Sequence, residues 1–396
     1  MNWRQRLQRW RLRVAYGFGA LLYMAFDAVV LAARRPQPGP GRVAVLFPDL
    51  LGDVLMWLPY GRALCAHWLR QGQQVAVVCD AASQSLLQAA LPDCVIVGLR
   101  ASALRLSHPG QRAQALRRLR GLGVEQTLYM SHPRGPVSRG EGIVQALGAP
   151  AVGFSHCMRD RPAWEVRWSN RRYARLVPSD GRIAVHVQRR FAAFLQALGV
   201  TAPVEAVTWP AASPRLVQGD YWVLAPGASQ AYRRWPPERF AAVAKALAAR
   251  HPQWRCVIVG TAGERDLGAR IAEALGEKAQ NLVGQTTVPE LIDLIAHAQL
   301  LVGNDSAAGH IAAAVGTPSV VVVGGGHWGL CFPYDAAIAP VRRPPLAVGH
   351  RMPCYGCDWV CAYSNRKDQP FPCVQRTTDE GVMEAIDRAL SPSNYT

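Results

Sequence analysis

Two runs of alternating strand and helix patterns limit what this chain can fold into more than any other feature. Short apolar segments bounded by turn residues alternate with segments of helical periodicity, the pattern of parallel sheets covered by helices. The predicted strands are residues 43–47, 75–79, 95–98, 126–130 and 152–154 in the first run and 221–225, 255–259, 281–283, 299–303 and 319–323 in the second. This pattern predicts an α/β protein with two Rossmann-like domains facing each other across a cleft.

Length and turn residues set the expected domain boundaries. The 396 residues exceed the size of one ordinary domain. A segment with three prolines separates the two runs and is the expected interdomain linker. The predicted parts are a helix at 1–35, a first domain at 36–200, the linker at 201–218, a second domain at 219–376 and a C-terminal helix and tail at 377–396.

The charge of the chain indicates an anionic partner. Lys and Arg number 44 against 27 Asp and Glu, which gives a formal net charge of +17. No nucleic-acid-binding motif accompanies this charge, so nucleic acid is not an expected partner. We expect a membrane surface and phosphorylated ligands such as an anionic glycolipid or glycan.

The N-terminal segment predicts a cationic, membrane-associated helix. Residues 1–13 carry five arginines, and residues 14–33 are apolar apart from Asp27. Arg34 and Arg35 occupy the place of a signal-peptide cleavage site, which argues against secretion. Polar residues including Tyr23 and Asp27 share one helical face, and this favours a helix lying in the membrane interface over a spanning helix or one packed on the protein. A Pro- and Gly-rich linker at 36–41 suggests that the helix is separable from the domain.

Cysteine usage places the chain in a reducing compartment. Ten cysteines are present, and six of them are scattered, several within apolar runs, as expected of reduced core residues. The expected location is therefore the cytoplasm.

The stretch 301–320 predicts a strand, a tight turn and a helix that together suit a diphosphate. An apolar strand leads into Asp305 and Ser306, both good N-cap residues, and residues 307–315 are strong helix formers. Free N–H groups and the positive helix end favour a bound anion there. The alternative is an ordinary strand–helix turn in which Asp305 only caps the helix.

Three further segments follow predicted strands, where α/β folds place their sites. Asp53 begins a helix after the first strand, preceded by a glycine. A loop of small residues after residue 225 offers Ser229 and Arg233 as anion ligands, and a glycine-containing loop at 259–264 ends in Glu264.

In this order the segments resemble glycosyltransferase family 9, the bacterial heptosyltransferases of lipopolysaccharide synthesis and their relatives. The family's Leu-Gly-Asp followed by Val stands at 51–54, its Pro-Gly-Ala…Trp-Pro segment at 226–236 and its Asp-Thr/Ser-x-x-x-His-x-x-Ala-Ala segment at 305–314. The resemblance extends over roughly residues 42–325. It implies a GT-B fold and inverting transfer of a sugar, typically heptose from ADP-heptose, to a lipopolysaccharide or other cell-surface glycan hydroxyl. With the cationic N-terminal helix, it also implies a peripheral location on the inner face of the bacterial inner membrane.

The resemblance also implies roles for individual residues. Asp53 corresponds to the general base, and Glu264 to an acid that binds the ribose. Arg233 stands where the family often has lysine near the diphosphate. Donor-site positions are occupied by Ser229, Asp305, Ser306 and His310. The chain has no Asp-x-Asp pair, so no catalytic metal is expected, and the diphosphate charge must be met by arginine and backbone.

Other functions fit parts of the pattern. A sugar-nucleotide epimerase has a similar two-domain architecture, and a catalytically silent binding protein would need no general base. A protein O-heptosyltransferase acting on Ser or Thr of adhesins is a third alternative, because such enzymes resemble this chain in carrying a cysteine cluster that holds iron.

That cluster lies in residues 352–374, called here the cysteine-rich loop. Its cysteines have the spacing of a tetrahedral all-thiolate site for structural zinc or iron. The alternatives are a surface loop that merely gathers cysteines, or disulfides formed in a periplasm. The four residues are Cys354, Cys357, Cys361 and Cys373.

Overall fold

The computed structural model describes residues 3–32, 41–136, 140–156, 161–179, 185–209, 215–335, 337–338 and 340–391. The chain divides into two compact units. The first unit comprises Met1–Val54, Tyr60–Gly181 and Arg190–Pro203, and the second comprises Leu55–Pro59, Arg182–Arg189 and Val204–Thr396.

The elements up to residue 200 alternate between helices and strands, as the sequence predicts. In chain order they are α1 (Trp3–Ala32), β1 (Arg42–Phe47), α2 (Leu51–Arg70), β2 (Gln74–Asp80), α3 (Gln84–Ala90), β3 (Val95–Leu99), α4 (Pro109–Arg120), β4 (Gln126–Tyr129), α5 (Gly140–Leu147), β5 (Ala151–Phe154), α6 (Ala163–Asn170), β6 (Tyr173–Val177) and α7 (Val187–Ala197).

The alternation restarts after residue 220 and continues nearly to the C-terminus. The elements are β7 (Tyr221–Ala225), α8 (Pro237–Arg250), β8 (Arg255–Ile258), α9 (Arg265–Leu275), β9 (Ala279–Asn281), α10 (Val288–Ala296), β10 (Leu301–Asn304), α11 (Ala307–Val315), β11 (Ser319–Val322), β12 (Leu346–Val348), α12 (Pro372–Gln375) and α13 (Asp379–Leu390).

Each unit contains one six-stranded sheet, and both sheets have the same topology. The orders are β3-β2-β1-β4-β5-β6 and β9-β8-β7-β10-β11-β12, with every pairing parallel. This is the doubly wound order, in which the chain reverses direction across the sheet between the first and fourth strands. Ligands of such sheets bind at the carboxyl ends of those two strands, which are β1 and β4 in one unit and β7 and β10 in the other.

Burial explains why the central strands were predictable, and two of the four edge strands were missed. Every residue of β7, β10 and β11 is buried, so each reads as a continuous apolar run. The sequence reading missed β6 and β12, which lie at the sheet edges. Strand β6 includes an exposed arginine, Arg175, and charges of this kind are common on edge strands because they discourage pairing with another chain.

Part of the positive charge of the first unit is neutralised internally. The guanidinium of Arg134 donates to Glu141 Oε1 at 3.0 Å, and Arg161 pairs with Glu165 at 3.1 Å. All four side chains are buried. These arginines therefore hold the fold together and are not available to an anionic partner.

Helix α1 packs on the first unit, contrary to the expectation that it is separable. Its Asp27 is fully buried and forms an ion pair with Arg112 of α4. The ring of Tyr23 lies 4.5 Å from the Arg112 guanidinium carbon, and the Tyr23 hydroxyl accepts a hydrogen bond from Leu106 N at 3.2 Å. Tyr23 and Asp27 thus face the protein, because Arg112 offers the buried acid a partner.

The outward face of α1 is apolar. Phe18, Leu21, Leu22 and Val29 are between 50 and 76% exposed. These positions recur at helical spacing and form one stripe along the helix. Within the part of the chain that the structure describes, no helix has both the length and the hydropathy of a membrane-spanning segment.

Candidate functional site

Buried Asn304 organises the carboxyl ends of β7 and β10 in the second unit. Its side chain donates to Pro226 O at 2.6 Å and accepts from Trp235 N at 3.0 Å, so it joins both ends of the loop that follows β7. A Cβ at Gly303 would lie 2.7 Å from Ala225 O, which only glycine avoids. Close strand contact and one amide therefore fix the loop that carries Ser229 and Arg233.

Arg233 and Asp305 meet at this switch point, as the sequence predicts for donor-site residues. Arg233 Nη2 donates to Asp305 Oδ2 at 2.8 Å, and Arg233 Nη1 donates to Ser229 Oγ at 3.3 Å. The ring of His327 reaches the same carboxylate oxygen through Nδ1 at 2.7 Å. Asp305 is thus held between a guanidinium and an imidazole, and the side chains of Arg233, Asp305 and His327 form what we call the anchor triad.

Asp305 and Arg233 each stabilise the charged form of the other. Burial by itself would raise the pKa of Asp305, but the charges of His327 and Arg233 and their hydrogen bonds outweigh it and hold that pKa well below its usual range. Burial opposes the charge of Arg233, yet the Asp305 carboxylate raises the pKa of its guanidinium. Asp305 is therefore an ionised carboxylate that orients neighbouring hydrogen-bond donors, which suits a site for an anion.

Helix α11 begins directly beside the triad. Its N-cap position is Ser306, whose side chain makes no capping hydrogen bond. Asp305 is therefore not the N-cap residue of this helix, so the alternative in which Asp305 only caps the helix is wrong. The first N–H groups of a helix have no acceptor within it and carry partial positive charge, so they can bind a phosphate.

His310 lies one turn into α11 and is buried. Its Nδ1 is 2.7 Å from the Tyr334 hydroxyl, and its ring stacks on Phe332 with centroids 4.4 Å apart. Burial, together with the neighbouring positive groups, lowers the pKa of His310 to about 3. His310 is therefore a neutral ring that packs beneath the helix start.

Glu264 borders the same loop from the end of β8. Its carboxylate accepts hydrogen bonds from Thr261 N at 2.7 Å and Thr261 Oγ1 at 2.9 Å. A Cβ on Gly227 would lie 2.1 Å from Glu264 Oε1, so the missing side chain of Gly227 admits the carboxylate. The structure thus brings Glu264 to the loop that carries Ser229 and Arg233.

Asp53 belongs to the first unit. It is the third residue of α2, directly after β1, and it is half-buried. The N-cap position of α2 is Leu50, so Asp53 is not the N-cap residue of its helix. Asp53 thus lies near the carboxyl end of β1, where the sequence predicts the general base.

A polar cluster that the sequence reading missed lies beyond β4 of the same sheet. His132 Nε2 is 2.7 Å from Ser179 Oγ, Arg190 donates to His132 Nδ1 at 3.2 Å, and His156 stacks on the His132 ring at 5.3 Å. Burial, then the charges of Arg190 and His156, lowers the pKa of His132 to about 3. The residues of this cluster are far apart in the chain, so no local sequence motif predicts it.

The predicted metal site is not confirmed. Among the described residues, no three His, Cys, Asp or Glu side chains are grouped so as to hold a metal ion. Cys373 is buried, and its Sγ accepts a hydrogen bond from Gly325 N at 3.4 Å, which directs the thiol into the core. Burial raises the pKa of the Cys357 thiol, and the charges of Cys354, Cys373 and Cys361 act in the same direction. All nine described cysteines are free thiols, while Cys157 lies outside the described residues.

Comparison with known proteins identifies relatives of this chain. The sequence profile of glycosyltransferase family 9 (heptosyltransferase) matches residues 144–342, half of the chain. Lipopolysaccharide heptosyltransferase 3 of Escherichia coli is 34% identical over 168 residues, which cover 38% of this chain and 47% of that relative. The chain therefore matches about half the length of this curated relative.

Two solved structures share the fold. The E. coli ADP-heptose lps heptosyltransferase II superposes with a TM-score of 0.59 at 18% identity, covering 88% of this chain and 98% of that one. The iron-containing dodecameric glycosyltransferase TibC from enterotoxigenic E. coli H10407 superposes with a TM-score of 0.52 at 17% identity, covering 90% and 77%. These likenesses agree with the GT-B class expected of the two doubly wound sheets.

Proposed function

This chain belongs to glycosyltransferase family 9, and we propose that it transfers a heptose from ADP-heptose, with inversion, to a hydroxyl of lipopolysaccharide or another cell-surface glycan. The anchor triad beside the start of α11 is the observation that carries this proposal. It presents a guanidinium, an imidazole and free helix N–H groups on one side of a doubly wound sheet, the environment that a nucleoside diphosphate requires.

The proposed reaction is a single displacement. The acceptor hydroxyl oxygen attacks the anomeric carbon, its proton passes to the Asp53 carboxylate, and the bond from that carbon to the β-phosphate oxygen breaks to release ADP. Arg233, Ser229 and the α11 N–H groups neutralise the charge that grows on the leaving diphosphate. Glu264 is the proposed ribose ligand, and Asp305 orients Arg233.

The proposed acceptor lies at a membrane surface, to which helix α1 would bind. We propose that α1 lies flat on the anionic inner face of the inner membrane, with its exposed apolar stripe inserted between lipids. The five arginines in residues 1–13 complement a negative membrane surface.

We also propose that Cys354, Cys357, Cys361 and Cys373 hold a structural zinc or iron ion. The sequence spacing of the four cysteines supports this proposal, because thiolates are preferred ligands of these metals. Such an ion would stabilise the cysteine-rich loop. Elemental analysis of protein purified without chelator should find about one metal per chain. Cys357→Ser should lose it, and finding all four cysteines in disulfides would contradict the site.

The decisive experiment supplies ADP-heptose with different acceptors. Incubation with heptose-deficient lipopolysaccharide should add one heptose to the glycan and release an equal amount of ADP, both measurable by mass spectrometry. The curated relatives do not favour the two alternative activities. Transfer to an adhesin Ser or Thr in place of the glycan would support the protein O-heptosyltransferase, and conversion of ADP-heptose without any acceptor would support the epimerase.

A further inference from the structure

The cysteine-rich loop reaches the anchor triad through one aromatic side chain. Two of its rings, Trp359 and Tyr355, rest on the backbone of the glycine triplet Gly324, Gly325 and Gly326, directly after β11. A Cβ on Gly324 would lie 2.6 Å from the Trp359 ring, and one on Gly326 would lie 2.3 Å from it. A Cβ on Gly325 would lie 2.6 Å from the Tyr355 ring. The rings occupy space that any side chain on the triplet would fill.

The backbone that presents Trp359 is unusual. Asp358 and Trp359 have φ angles of 51° and 58°, in the left-handed region that residues other than glycine seldom adopt. Among the residues that the structure describes, they are the two non-glycine residues with positive φ. Such conformations persist where the surrounding structure enforces them, and they concentrate at functional sites.

Trp359 contacts Arg233 and His327 of the anchor triad. The guanidinium carbon of Arg233 lies 5.5 Å from the centre of its ring, and the ring of His327 meets it edge-on with centroids 5.2 Å apart. From the other side, Tyr232 packs on it at 5.3 Å. The indole therefore supports the two groups that bind Asp305.

Two buried N–H groups where Trp359 meets Arg233 have no hydrogen-bond acceptor among the described residues. In the described part of the chain, neither Trp359 Nε1 nor Arg233 Nε has a hydrogen-bond partner, although both atoms are shielded from solvent. A buried donor without an acceptor is unfavourable, and the oxygens of a diphosphate are strong acceptors.

We propose that Trp359 is a positioning residue for the nucleotide-sugar donor. Its ring holds Arg233 and His327 against Asp305, and its N–H is directed to the donor. The cysteine-rich loop then completes the donor site as well as covering the sheet. This inference rests on the proposed function, since it assumes that the triad binds a nucleoside diphosphate.

The test is calorimetric titration of the full-length protein with ADP. Trp359→Leu should weaken ADP binding about 5- to 30-fold, because it removes the ring beside Arg233 and the N–H. Trp359→Phe keeps a ring but lacks the N–H, so its loss should be about 3-fold. Gly326→Ala should displace the unaltered indole and act like Trp359→Leu. Matched controls are Val360→Ala, on an exposed neighbour, and Gly110→Ala in α4, where a Cβ meets nothing within 4 Å.

Kinetics separate positioning from a general loss of structure. The Trp359 variants should raise KM for the donor more than they lower kcat, with thermal midpoints close to those of the controls. Wild-type affinity for ADP in Trp359→Phe and Gly326→Ala would overturn the inference, whether or not Trp359→Leu folds. If the wild-type protein binds GDP or UDP instead of ADP, the proposed donor is wrong, and the same variants tested with that nucleotide still decide the role of Trp359.

Discussion

The carboxylate of Asp27 accepts two hydrogen bonds from Arg112, from Nε at 2.6 Å and from Nη2 at 2.5 Å, and neither side chain is open to solvent. The pair joins α1 to α4. Burial raises the pKa of Asp27 in spite of the opposing effect of Arg112, which shows how much desolvation this contact has to offset. The pair specifies where α1 docks rather than adding much net stability.

Asp27→Ala should therefore destabilise the protein by about 3–5 kcal/mol, because it leaves the Arg112 guanidinium buried without its carboxylate. Chemical unfolding curves measure this loss. Glu238→Ala, which breaks the exposed pair with Arg270, is the control and should change stability by less than about 1 kcal/mol. Equal effects of the two variants would mean that α1 is a loose appendage.

Membrane binding should depend on the exposed stripe of α1. Leu22→Glu should lower affinity for vesicles containing anionic phospholipid by about 10-fold or more, because it replaces an apolar side chain expected to insert. Cosedimentation with vesicles at two salt concentrations measures this. Val95→Glu, on an exposed residue of β3, is the control. If Leu22→Glu instead dissociates a dimer in sedimentation and leaves vesicle binding intact, the stripe pairs with a second copy.

Asp53→Asn should lower the rate of transfer by about 10²–10⁴-fold, the usual effect of removing a general base. Donor binding should survive, because the proposed role of Asp53 concerns the acceptor. Single-turnover transfer and ADP-heptose titration measure the two quantities. Asp93→Asn, on an exposed acid of the same unit, should be as active as the wild type. Full activity of Asp53→Asn would require another base.

Arg233→Ala should weaken binding of the ADP-sugar by about 1.5–3 kcal/mol, the range for a hydrogen bond to a charged group. Arg233→Lys should lose less, because an ammonium keeps the charge beside Asp305 and the diphosphate. Titration with ADP-heptose gives both affinities, and the exposed Arg265→Ala is the control. An unchanged affinity in Arg233→Ala would remove the triad from the donor site.

Stability should fall with pH below neutrality. His132 and His310 have pKa values lowered to about 3, whereas an unfolded histidine titrates near about 6.5. Between these values the unfolded state binds protons that the folded state does not, so lowering the pH favours unfolding. Each residue accounts for about 2 kcal/mol at about pH 5. His132→Gln should show a smaller drop in thermal midpoint between pH 7.5 and pH 5 than the wild type, and an equal drop would mean that His132 is charged when folded.

The sequence predicted those parts of the site that sit at the ends of buried strands. Arg233 and Asp305 follow β7 and β10, and two parallel strands at the switch point bring their carboxyl ends together. His327 could have been suspected, since it follows the buried strand β11 by a few residues. Its contact with Asp305 could not, because the turns of a glycine-rich loop leave no periodic pattern.

Helix α1 shows a different limit of prediction from sequence. Periodicity identified which of its residues share a face, but it does not state which face turns inward. That choice depended on Arg112, a residue far along the chain whose partner no local pattern reveals. Trp359 was missed for a similar reason, because its conformation is set by the glycine triplet and not by its own neighbours.

The fit of Trp359 onto Gly324 and Gly326 also limits how this chain can vary. Replacing either glycine while the indole remains would force two sets of atoms into the same space. A smaller ring at 359 would leave the glycines exposed and Arg233 less well supported. The triplet and the tryptophan must therefore change together. The joint presence of the triplet and the tryptophan in a related sequence would therefore indicate the same packing of a cysteine-rich loop on the segment after β11.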